Sequence, residues 1–505
     1  MNMKTAIRIL SLALAAALLL PMTLVLADGD GFSSAYTYNY DYWGELRESP
    51  DAYRVDQVLY SGTLGLDTPM RRPQSLFVIG DDLYICDTGN NRILQARREG
   101  QQFSFVRTID HVEGAQPAAF NAPSDVAVDE EGNIYVSDTN NNRVVMMDKD
   151  LRFIRDCTKP QDTTFDQNLS FLPNKIVVDS SGRVFVLATN VNKGLVKYEA
   201  DGAFTGFIGA NKATYNLWDY MWKSFFTTKE QRAQQASFVP TEYENVYIDH
   251  DGFIYATNTV FSEYDLKFDV AKPIRRLNSI GNDILIKNDR YPPIGDLQWT
   301  EGSLDYGPSK FRDITVLDND IYIALDGIRG RLFGYDPQGI MLWAFGTKGN
   351  SAGAFLSARS IEHMGRDLLV LDENENSITV FTPTDYGNLI YLASDQYLKG
   401  DYEGSADTWR QVLRLNANYN LAFIGIGRSL MRQEQYSEAM EYFKMAHDRE
   451  NYGRAYRYYR KEVVEKNIVW IVVILGCLLI IPPVLRQVKK SKMEVEAYEH
   501  RQIAH

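Results

Sequence analysis

The segment RPQSLFVIGDDLYICDTGNNRILQAR (72–97) contains the pattern that decides the fold, because the chain repeats it. APSDVAVDEEGNIYVSDTNNNRVVMMD (122–148) and LPNKIVVDSSGRVFVLATNVNKGLVKYE (172–199) follow, with their prolines 50 residues apart. Each copy alternates apolar and polar residues between clusters of Gly, Asn and Asp, the pattern of half-buried antiparallel strands. A further apolar segment follows each copy (FSFVRTI, FIRDCTK and FTGFIG), so each unit predicts a four-stranded sheet.

Three weaker copies begin at Pro240, Arg312 and Ser360, which brings the number of units to six. One such sheet cannot bury both faces, whereas six in a ring form a closed β-propeller. The sixth copy lacks a fourth strand before the pattern turns helical near Asp385, and AYRVDQVLYSG, which starts at Ala52, can supply it. We therefore predict a mainly β fold, a six-bladed propeller closed by its N-terminal strand, which removes the open edges.

The copies resemble NHL repeats, in which a Pro-x-x-hydrophobic strand precedes Gly-Asn-Ile-Tyr-Val and then Asp-Thr-x-Asn-Asn-Arg. The second copy has both motifs, at residues 132–136 and 138–143, and the first copy has the second motif at residues 87–92. Copies three to six keep only the strand pattern. The resemblance covers roughly residues 50–385 and implies a six-bladed propeller, but it implies no single activity, since the fold hosts receptors, scaffolds and enzymes.

Composition excludes several classes of protein. Of the 505 residues, 45% are hydrophobic and 24% are charged, an ordinary balance for globular proteins. The formal charge of −13 argues against nucleic-acid binding, including the RNA binding known for some NHL proteins, because that function needs a positive surface. Cys86, Cys157 and Cys477 are too few and too scattered for a disulfide framework or a zinc–thiolate site.

Both ends of the chain carry apolar segments. Residues 1–27 combine a basic start, a short apolar core and small residues before the predicted cleavage site, as in a secretory signal peptide. An uncleaved anchor is the alternative. Residues 468–485 are uninterruptedly apolar, and 18 residues at about 1.5 Å each span roughly 27 Å, enough to cross a membrane. A buried core helix is the alternative for this run.

Basic residues flank the apolar run on both sides, so the positive-inside rule alone does not orient it. The signal peptide does, and it predicts a single-pass cell-membrane protein with an extracellular N-terminal domain and a short cytoplasmic tail. Low cysteine use in an exported chain favours a bacterial setting.

Between the propeller and the apolar run, the hydrophobic period changes from 2 to 3.6. Trp409 and Phe443 lie 34 residues apart, and the small residues Ser405 and Ala439 share that offset. A helix-turn-helix period of 34 resembles tetratricopeptide repeats. The predicted organisation is signal peptide 1–27, tyrosine-rich linker 28–50 (or a segment lying against the propeller), propeller 51–385 with an insertion at 211–238, two tetratricopeptide-like repeats 386–451, juxtamembrane helix 452–467, transmembrane helix 468–485 and cytoplasmic tail 486–505.

The Asp-Thr-x-Asn-Asn-Arg turns are candidates for ligand or metal loops. Asp and Asn also favour such turns for a structural reason, because their side chains bond nearby backbone groups and tolerate left-handed conformations. The spacing of a calcium loop with a terminal Glu is absent. We therefore predict a structural role for Asp87, Asn91, Arg92, Asp138, Asn142 and Arg143. We expect no cofactor, with calcium left open.

The histidines do not predict a catalytic or metal site. His250 and His363 fall in or beside the first hairpin of a blade, whereas His111 falls in a loop between blades. A zinc site needs three or four convergent ligands, which these positions do not favour. No Ser-His-Asp or Cys-His arrangement has local support either, so we predict no catalytic residue.

An aromatic insertion at 211–238 is the candidate binding element. Tyr215, Trp218, Trp222 and Phe225 are separated by 3, 4 and 3 residues and so share one helical face. Loops between blades emerge at one end of a propeller, and aromatic rings there can stack on sugars or anchor protein partners. The alternative is a helix that packs these rings onto the propeller as core.

Two functions remain. The first is a membrane-anchored extracellular binding or scaffold protein that contacts protein or carbohydrate through propeller loops and helical repeats, as an accessory to a transporter or envelope complex. The second is a metal-dependent propeller hydrolase or lyase, similar to lactonases, which would need bound calcium or zinc.

Overall fold

The computed structural model describes residues 37–41, 43–189, 191–209, 243–261, 265–266, 271–287, 292–296 and 307–503. The predicted signal peptide and the aromatic insertion with Tyr215, Trp218, Trp222 and Phe225 lie outside the described residues. The chain divides into two units, Met1–Asn388 and Leu389–His505, which are treated one at a time.

The first unit is a six-bladed β-propeller, which confirms the predicted fold. Three strands precede blade 1: β1 (Thr37–Tyr40), β2 (Leu46–Glu48) and β3 (Tyr53–Leu59). Blades 1 to 3 are four-stranded and consist of β4 (Ser75–Ile79), β5 (Asp82–Asp87), β6 (Arg92–Glu99) and β7 (Gln102–Ile109); β8 (Pro123–Val128), β9 (Ile134–Asp138), β10 (Arg143–Met147) and β11 (Phe153–Thr158); and β12 (Leu172–Val178), β13 (Val184–Thr189), β14 (Leu195–Tyr198) and β15 (Phe204–Ile208).

The second half of the ring is less regular. Its strands are β16 (Asn245–Ile248), β17 (Ile254–Thr257) and β18 (Ile274–Leu277) in blade 4; β19 (Phe311–Val316), β20 (Tyr322–Asp326), β21 (Arg331–Tyr335) and β22 (Met341–Phe345) in blade 5; the short pair β23 (Thr347–Lys348) and β24 (Ala354–Phe355); and β25 (Ala358–Met364), β26 (Asp367–Asp372) and β27 (Ser377–Pro383) in blade 6. In the described part of the chain blade 4 has three strands rather than the predicted four.

The N-terminal strand closes the ring, as the sequence predicts. Strand β3 pairs antiparallel with β27, from Leu59 opposite Ile378 to Tyr53 opposite Pro383, and so becomes the outer strand of blade 6. Leu59 and Ile378 belong to one buried cluster with Leu76 of blade 1. Full burial of each such side chain contributes roughly 1.5–3 kcal/mol, so the closure is packed as well as hydrogen-bonded.

Part of the predicted linker 28–50 is also sheet. Strand β1 pairs with β22 on one side and β2 on the other, which extends blade 5 to six strands. The hydroxyls of Tyr38 and Tyr40 donate to the buried carboxylate of Asp296, at 2.8 and 2.7 Å, and Arg331 pairs with the same carboxylate. These contacts hold the described part of the segment against the propeller.

The second unit consists of short helices followed by one long helix. They are α1 (Asp385–Leu398), which begins just before the unit, α2 (Tyr402–Leu415), α3 (Asn420–Arg432), α4 (Tyr436–Met445) and α5 (Arg449–Ile503). Asp401 caps α2 by accepting the amide of Gly404 at 3.0 Å. Ser405 is fully buried and donates to the carbonyl of Ala393 at 2.8 Å. The succession of helical hairpins agrees with the 34-residue offset, and membership of the tetratricopeptide family stays a prediction.

Helix α5 is long and apolar enough to cross a membrane, by length and composition. An 18-residue window has a mean hydropathy of 2.9 and none of it is buried inside the protein. Trp470 and Leu479 are 67% and 76% exposed, for example. The helix continues through Pro482 and Pro483 into the basic segment after them.

Candidate functional site

The innermost strands β4, β8, β12, β16, β19 and β25 contact one another around the propeller axis. Each carries a buried polar residue at the equivalent position, and we call these six residues the axial ring. They are, from blade 1 to blade 6, Ser75, Asp125, Lys175, Asn245, Asp313 and Ser360.

The first half of the axial ring forms a hydrogen-bonded triad. The Ser75 hydroxyl donates to Asp125 Oδ1 at 2.5 Å, and Lys175 Nζ donates to Ser75 Oγ at 3.0 Å. Lys175 Nζ also lies 3.7 Å from Asp125 Oδ1, while the other carboxylate oxygen accepts the amide of Ile176 at 2.8 Å. Because Lys175 belongs to blade 3 and Ser75 to blade 1, this contact passes over blade 2.

The second half is centred on Asp313. Its carboxylate accepts from the Asn245 amide, from the Ser360 hydroxyl at 2.7 Å and from the backbone amide of Ile361 at 2.8 Å. Burial raises the pKa of Asp313, and the positive charge of Lys175 opposes that rise. The ring is therefore bonded to itself, and its carboxylates serve as acceptors that join blades.

Glu362 and His363 lie on β25, shortly after its axial-ring residue Ser360. Glu362 is buried, and burial together with the nearby carboxylate of Asp313 raises its pKa well above the usual value. His363 Nδ1 lies 2.7 Å from the Thr315 hydroxyl, and burial lowers the pKa of this histidine. Both groups are thus held toward their neutral forms.

The residue directly before each axial-ring residue lies at the start of the innermost strand, next to the loop that connects this blade to the preceding one. We call these six the mouth residues. They are Gln74, Ser124, Asn174, Glu244, Arg312 and Arg359. In blades 2, 3, 5 and 6 the strand register shifts at this residue, and such bulges redirect side chains next to functional sites.

Two mouth contacts join different blades. Ser124 Oγ donates to the carbonyl of Asn174 at 2.8 Å. Arg359 Nη1 lies 3.8 Å from Glu244 Oε1, so blade 6 reaches blade 4 across blade 5. Together with the Lys175–Ser75 contact, this ion pair gives the ring two links between blades that are not neighbours.

A cavity of about 150 Å³ opens beside Glu244, between blades 3 and 4. Its lining includes Asn174, Leu187, Ala188, Thr189, Tyr243 and Glu244. The Tyr243 hydroxyl donates to the carbonyl of Gly209 at 2.5 Å. Gly209 and Tyr243 are the described residues on either side of the predicted aromatic insertion, and Tyr243 lines this cavity.

The first Asp-Thr-x-Asn-Asn-Arg turn is held by its own side chains. The fully buried carboxylate of Asp87 accepts from Arg92 Nε at 2.7 Å, from Asn90 Nδ2 at 2.8 Å and from the amide of Arg71 at 2.7 Å. Asn91 adopts a left-handed conformation with φ +56°, which asparagine tolerates.

The second turn repeats this geometry. Asp138 accepts from Arg143 Nε at 3.0 Å and from Asn141 Nδ2 at 2.8 Å, and Asn142 has φ +58°. The Thr139 hydroxyl donates to the carbonyl of Pro173, the first residue after Leu172 in blade 3, at 2.7 Å. In both turns the contacts are made with the protein itself, and they connect neighbouring strands and blades.

Within the described ranges, one group of His, Cys, Asp and Glu side chains is close enough to hold a metal ion. His250, Asp251 and Asp320 have ligand atoms within 4.8 Å of one another, on the first hairpins of blades 4 and 5. These hairpins lie at the opposite end of the strands from the mouth. Arg276 Nη2 lies 3.6 Å from Asp320 and 2.8 Å from Asp249, so the positive charge of a guanidinium group is already close to the Asp320 carboxylate. The group contains neither His111 nor His363.

The mouth residues and this hairpin group were not predicted from the sequence. A signal for the mouth was present, because each mouth residue stands directly before the polar residue of an innermost strand. Only alignment of the six copies at that polar residue would have revealed it. Asp251 and Asp320 are far apart in the sequence, and no local pattern connects them.

Residues 120–145 match the family model of the NHL repeat, so the propeller contains an NHL repeat. No curated protein matches the chain. Similar solved structures include virginiamycin B lyase from Staphylococcus aureus (13% identity, 69% of this chain and 88% of that chain covered, TM-score 0.38). A streptogramin B lyase (11%, 66% and 100%, 0.40) and a protein of unknown function from Bacteroides thetaiotaomicron (10%, 66% and 73%, 0.39) are also similar. Such low identities and TM-scores carry no argument about activity.

Proposed function

We propose that the chain is a non-enzymatic, membrane-anchored binding protein whose propeller contacts a protein or carbohydrate partner outside the cell. The observation that supports the binding role is a pair of polar contacts across the ring. Lys175–Ser75 and Arg359–Glu244 each join blades that are not neighbours, so polar side chains reach across part of the axial space. A ligand would then bind at the mouth, beside the cavity next to Glu244.

The proposed anchor is the apolar segment 468–485 of α5. Its side chains are exposed, and water would disfavour so large an apolar surface, whereas a bilayer would accept it. A cleaved signal peptide would place the propeller outside and the basic tail inside. The helical hairpins would then offer a second surface for a protein partner, as in an accessory subunit of a transporter or envelope complex.

Protease treatment of cells with an exposed cytoplasmic membrane tests the topology. We expect added protease to digest the propeller and to leave a membrane-protected fragment detected by a tag after His505. Digestion of the tag with protection of the propeller would contradict the proposed orientation.

Site-specific photocrosslinking in native membranes tests the binding role. A crosslinking residue at Thr189, exposed beside the cavity, should capture a partner, whereas one at Gln101, exposed on blade 1, is the matched control. Equal capture at both positions would argue against a binding surface at the mouth. The double variant Trp218→Ala and Trp222→Ala should abolish capture while the melting temperature holds; a comparable loss of stability would support packing of these rings as core.

A metal-dependent hydrolase or lyase is the second candidate function, favoured by one observation, the group His250, Asp251 and Asp320. A histidine nitrogen and two carboxylates are suitable ligands for zinc. Metal analysis of the purified full chain distinguishes the candidates. Stoichiometric metal that disappears in the His250→Ala variant would favour the enzyme, and less than stoichiometric metal would favour the binding protein.

A further inference from the structure

The two ends of the proposed membrane span, residues 468–485, differ in charge. The four basic residues that follow the span directly form what we call the basic flank: Arg486, Lys489, Lys490 and Lys492. Helix α5 continues without interruption from the span through these residues. At a rise of about 1.5 Å per residue, the helix therefore holds all four within roughly 10 Å of the end of the apolar segment.

The side chains of the basic flank are exposed, and their charge is largely uncompensated. Among the side chains that the structure describes, Arg486, Lys489 and Lys492 have no partner in a hydrogen bond or an ion pair. Lys490 lies 4.0 Å from Glu494, and both of these side chains are mostly exposed. Such an exposed ion pair contributes little, so it leaves Lys490 available for another anion.

Three of these cations share one face of the helix. Lys489 and Lys490 follow Arg486 by three and four residues, the spacing at which side chains on a helix are neighbours. Like charges at this spacing repel each other and destabilise the helix. An anion bound between them would relieve the repulsion, so this face favours a negatively charged ligand.

The other end of the span is close to neutral. Lys461 pairs with Glu465 at 3.6 Å, and Lys466 pairs with Glu462 at 2.5 Å. The eight residues before the span contain three basic and two acidic side chains, whereas the eight after it contain four basic and no acidic ones. The polar headgroup layer of a bilayer is about 5–8 Å thick, and charges are screened over about 8 Å at physiological ionic strength. Uncompensated positive charge therefore faces the headgroups at one end of the span alone.

We propose that the basic flank binds the phosphodiester headgroups of anionic lipids in the leaflet that surrounds it. A phosphodiester carries one negative charge and accepts hydrogen bonds from ammonium and guanidinium groups. A soluble phosphate offers similar chemistry, but an anionic leaflet concentrates phosphodiesters at the depth where the helix holds these side chains. This inference rests on the proposed membrane anchor and names the class of lipid that the anchor prefers.

The lipid selectivity of the full chain in phosphatidylcholine vesicles tests the proposal. Spin-labelled phosphatidylglycerol and spin-labelled phosphatidylcholine are compared by electron paramagnetic resonance, which measures the fraction of each lipid immobilised at the protein. We expect phosphatidylglycerol to associate about 5-fold more tightly, because one basic residue near an anionic surface contributes about that factor. The preference should fall in about 1 M salt, where the screening length is about 3 Å. Equal association of the two lipids would overturn the proposal.

Two triple variants assign the preference to the basic flank. The first removes three of its cations: Arg486→Gln, Lys489→Gln and Lys490→Gln. The second is the matched control and removes three exposed cations of the same helix that lie farther from the span: Arg454→Gln, Arg457→Gln and Arg460→Gln. The first should abolish the preference for phosphatidylglycerol and the second, at about 12 Å or more from the apolar segment, should preserve it. Equal preference in the two variants would refute the assignment.

Two further measurements separate the possible failures. Excess inorganic phosphate at constant ionic strength should not displace spin-labelled phosphatidylglycerol, and displacement would assign the basic flank to a soluble anion and overturn the lipid assignment. Alkaline carbonate extraction of the vesicles tests the anchor itself. A chain that carbonate removes would refute the anchor and this inference together, whereas a chain that resists extraction but associates equally with both lipids would refute this inference alone.

Discussion

Replacing Gly425 by alanine tests how closely the helical hairpins pack. Gly425 lies on α3 against the indole of Trp409 on α2, and a Cβ at this position would stand 2.6 Å from Trp409 Cε2. Trp409 is only 5% exposed, so its ring cannot move aside into solvent. The helices must separate or the indole must leave its preferred rotamer.

Two opposing effects determine how much Gly425→Ala changes the free energy of unfolding. Alanine stabilises a helix interior by about 1 kcal/mol relative to glycine. An additional methyl group in a close-packed contact costs about 1–3 kcal/mol, and the buried, rigid indole places this site at the upper end. We therefore expect Gly425→Ala to lower the free energy of unfolding of the helical unit by about 2 kcal/mol.

Gly453 provides a matched control on helix α5. A Cβ there has no neighbour within 4 Å, so Gly453→Ala should receive the helix-propensity term alone and stabilise by about 1 kcal/mol. The assay is urea unfolding of the full chain in micelles, followed by the helical circular dichroism signal. Opposite signs for the two variants would support the packing of α2 on α3. Stabilisation by both substitutions would refute it.

Three further predictions concern the propeller. Asp313→Ala leaves the donors of Asn245 and Ser360 without their acceptor and should destabilise by about 3–5 kcal/mol in urea unfolding, while the exposed Asp318→Ala should change stability by less than about 0.5 kcal/mol. The folded-state pKa of Glu362 is raised, so its contribution to stability is full below the ordinary glutamate pKa and is lost as pH rises through the raised value. The stability advantage of Glu362→Gln over the parent chain should therefore grow as pH rises above the ordinary glutamate pKa, and a difference independent of pH would contradict this. Tyr40→Phe removes one donor to Asp296 and should destabilise by about 1–2 kcal/mol, whereas an unchanged melting temperature would mean that the N-terminal strands contribute little.

The six-bladed ring could be predicted from the sequence because each copy alternates apolar and polar residues in the pattern of strands. Its closure could be predicted because the sixth copy lacks a fourth strand. Copies one and two share the Asp-Thr-x-Asn-Asn-Arg motif, the later copies keep the strand pattern, and the segment from Ala52 has the pattern of a strand with no partner nearby. Strands β1 and β2 were harder to predict, since they are short and β1 pairs with β22, some 300 positions later. Strand β3 pairs with β27 over a similar distance, but the missing fourth strand of the sixth copy pointed to that pairing, whereas no missing strand pointed to β1.

The mouth residues could not be predicted from the sequence for a related reason. Glu244, Arg312 and Arg359 come from three blades, and each is an ordinary surface residue within its own copy. The contact between Glu244 and Arg359 follows only from the ring geometry, which brings equivalent positions of different blades close together. The turn residues Asp87 and Asp138 are the opposite case, because their partners Arg92 and Arg143 lie five residues away and the motif itself predicts the contact.

The same geometry makes the mouth dependent on the N-terminal strand, although that strand lies on the outer edge of blade 6. Arg359 belongs to blade 6 and meets Glu244 of blade 4 only while the six inner strands remain in contact. That contact is held at the seam between blades 6 and 1, where Leu59 of β3 packs with Leu76 and Ile378. Loss of β3 would expose the edge of β27 and this apolar cluster, so the seam would open and the mouth would lose its geometry. Loss of β1 and β2 would uncover the outer edge of blade 5 and remove Tyr38 from its buried cluster, but it would not open the seam between blades 6 and 1. The two parts of one N-terminal segment therefore differ in consequence, and the mouth depends on the part that closes the ring.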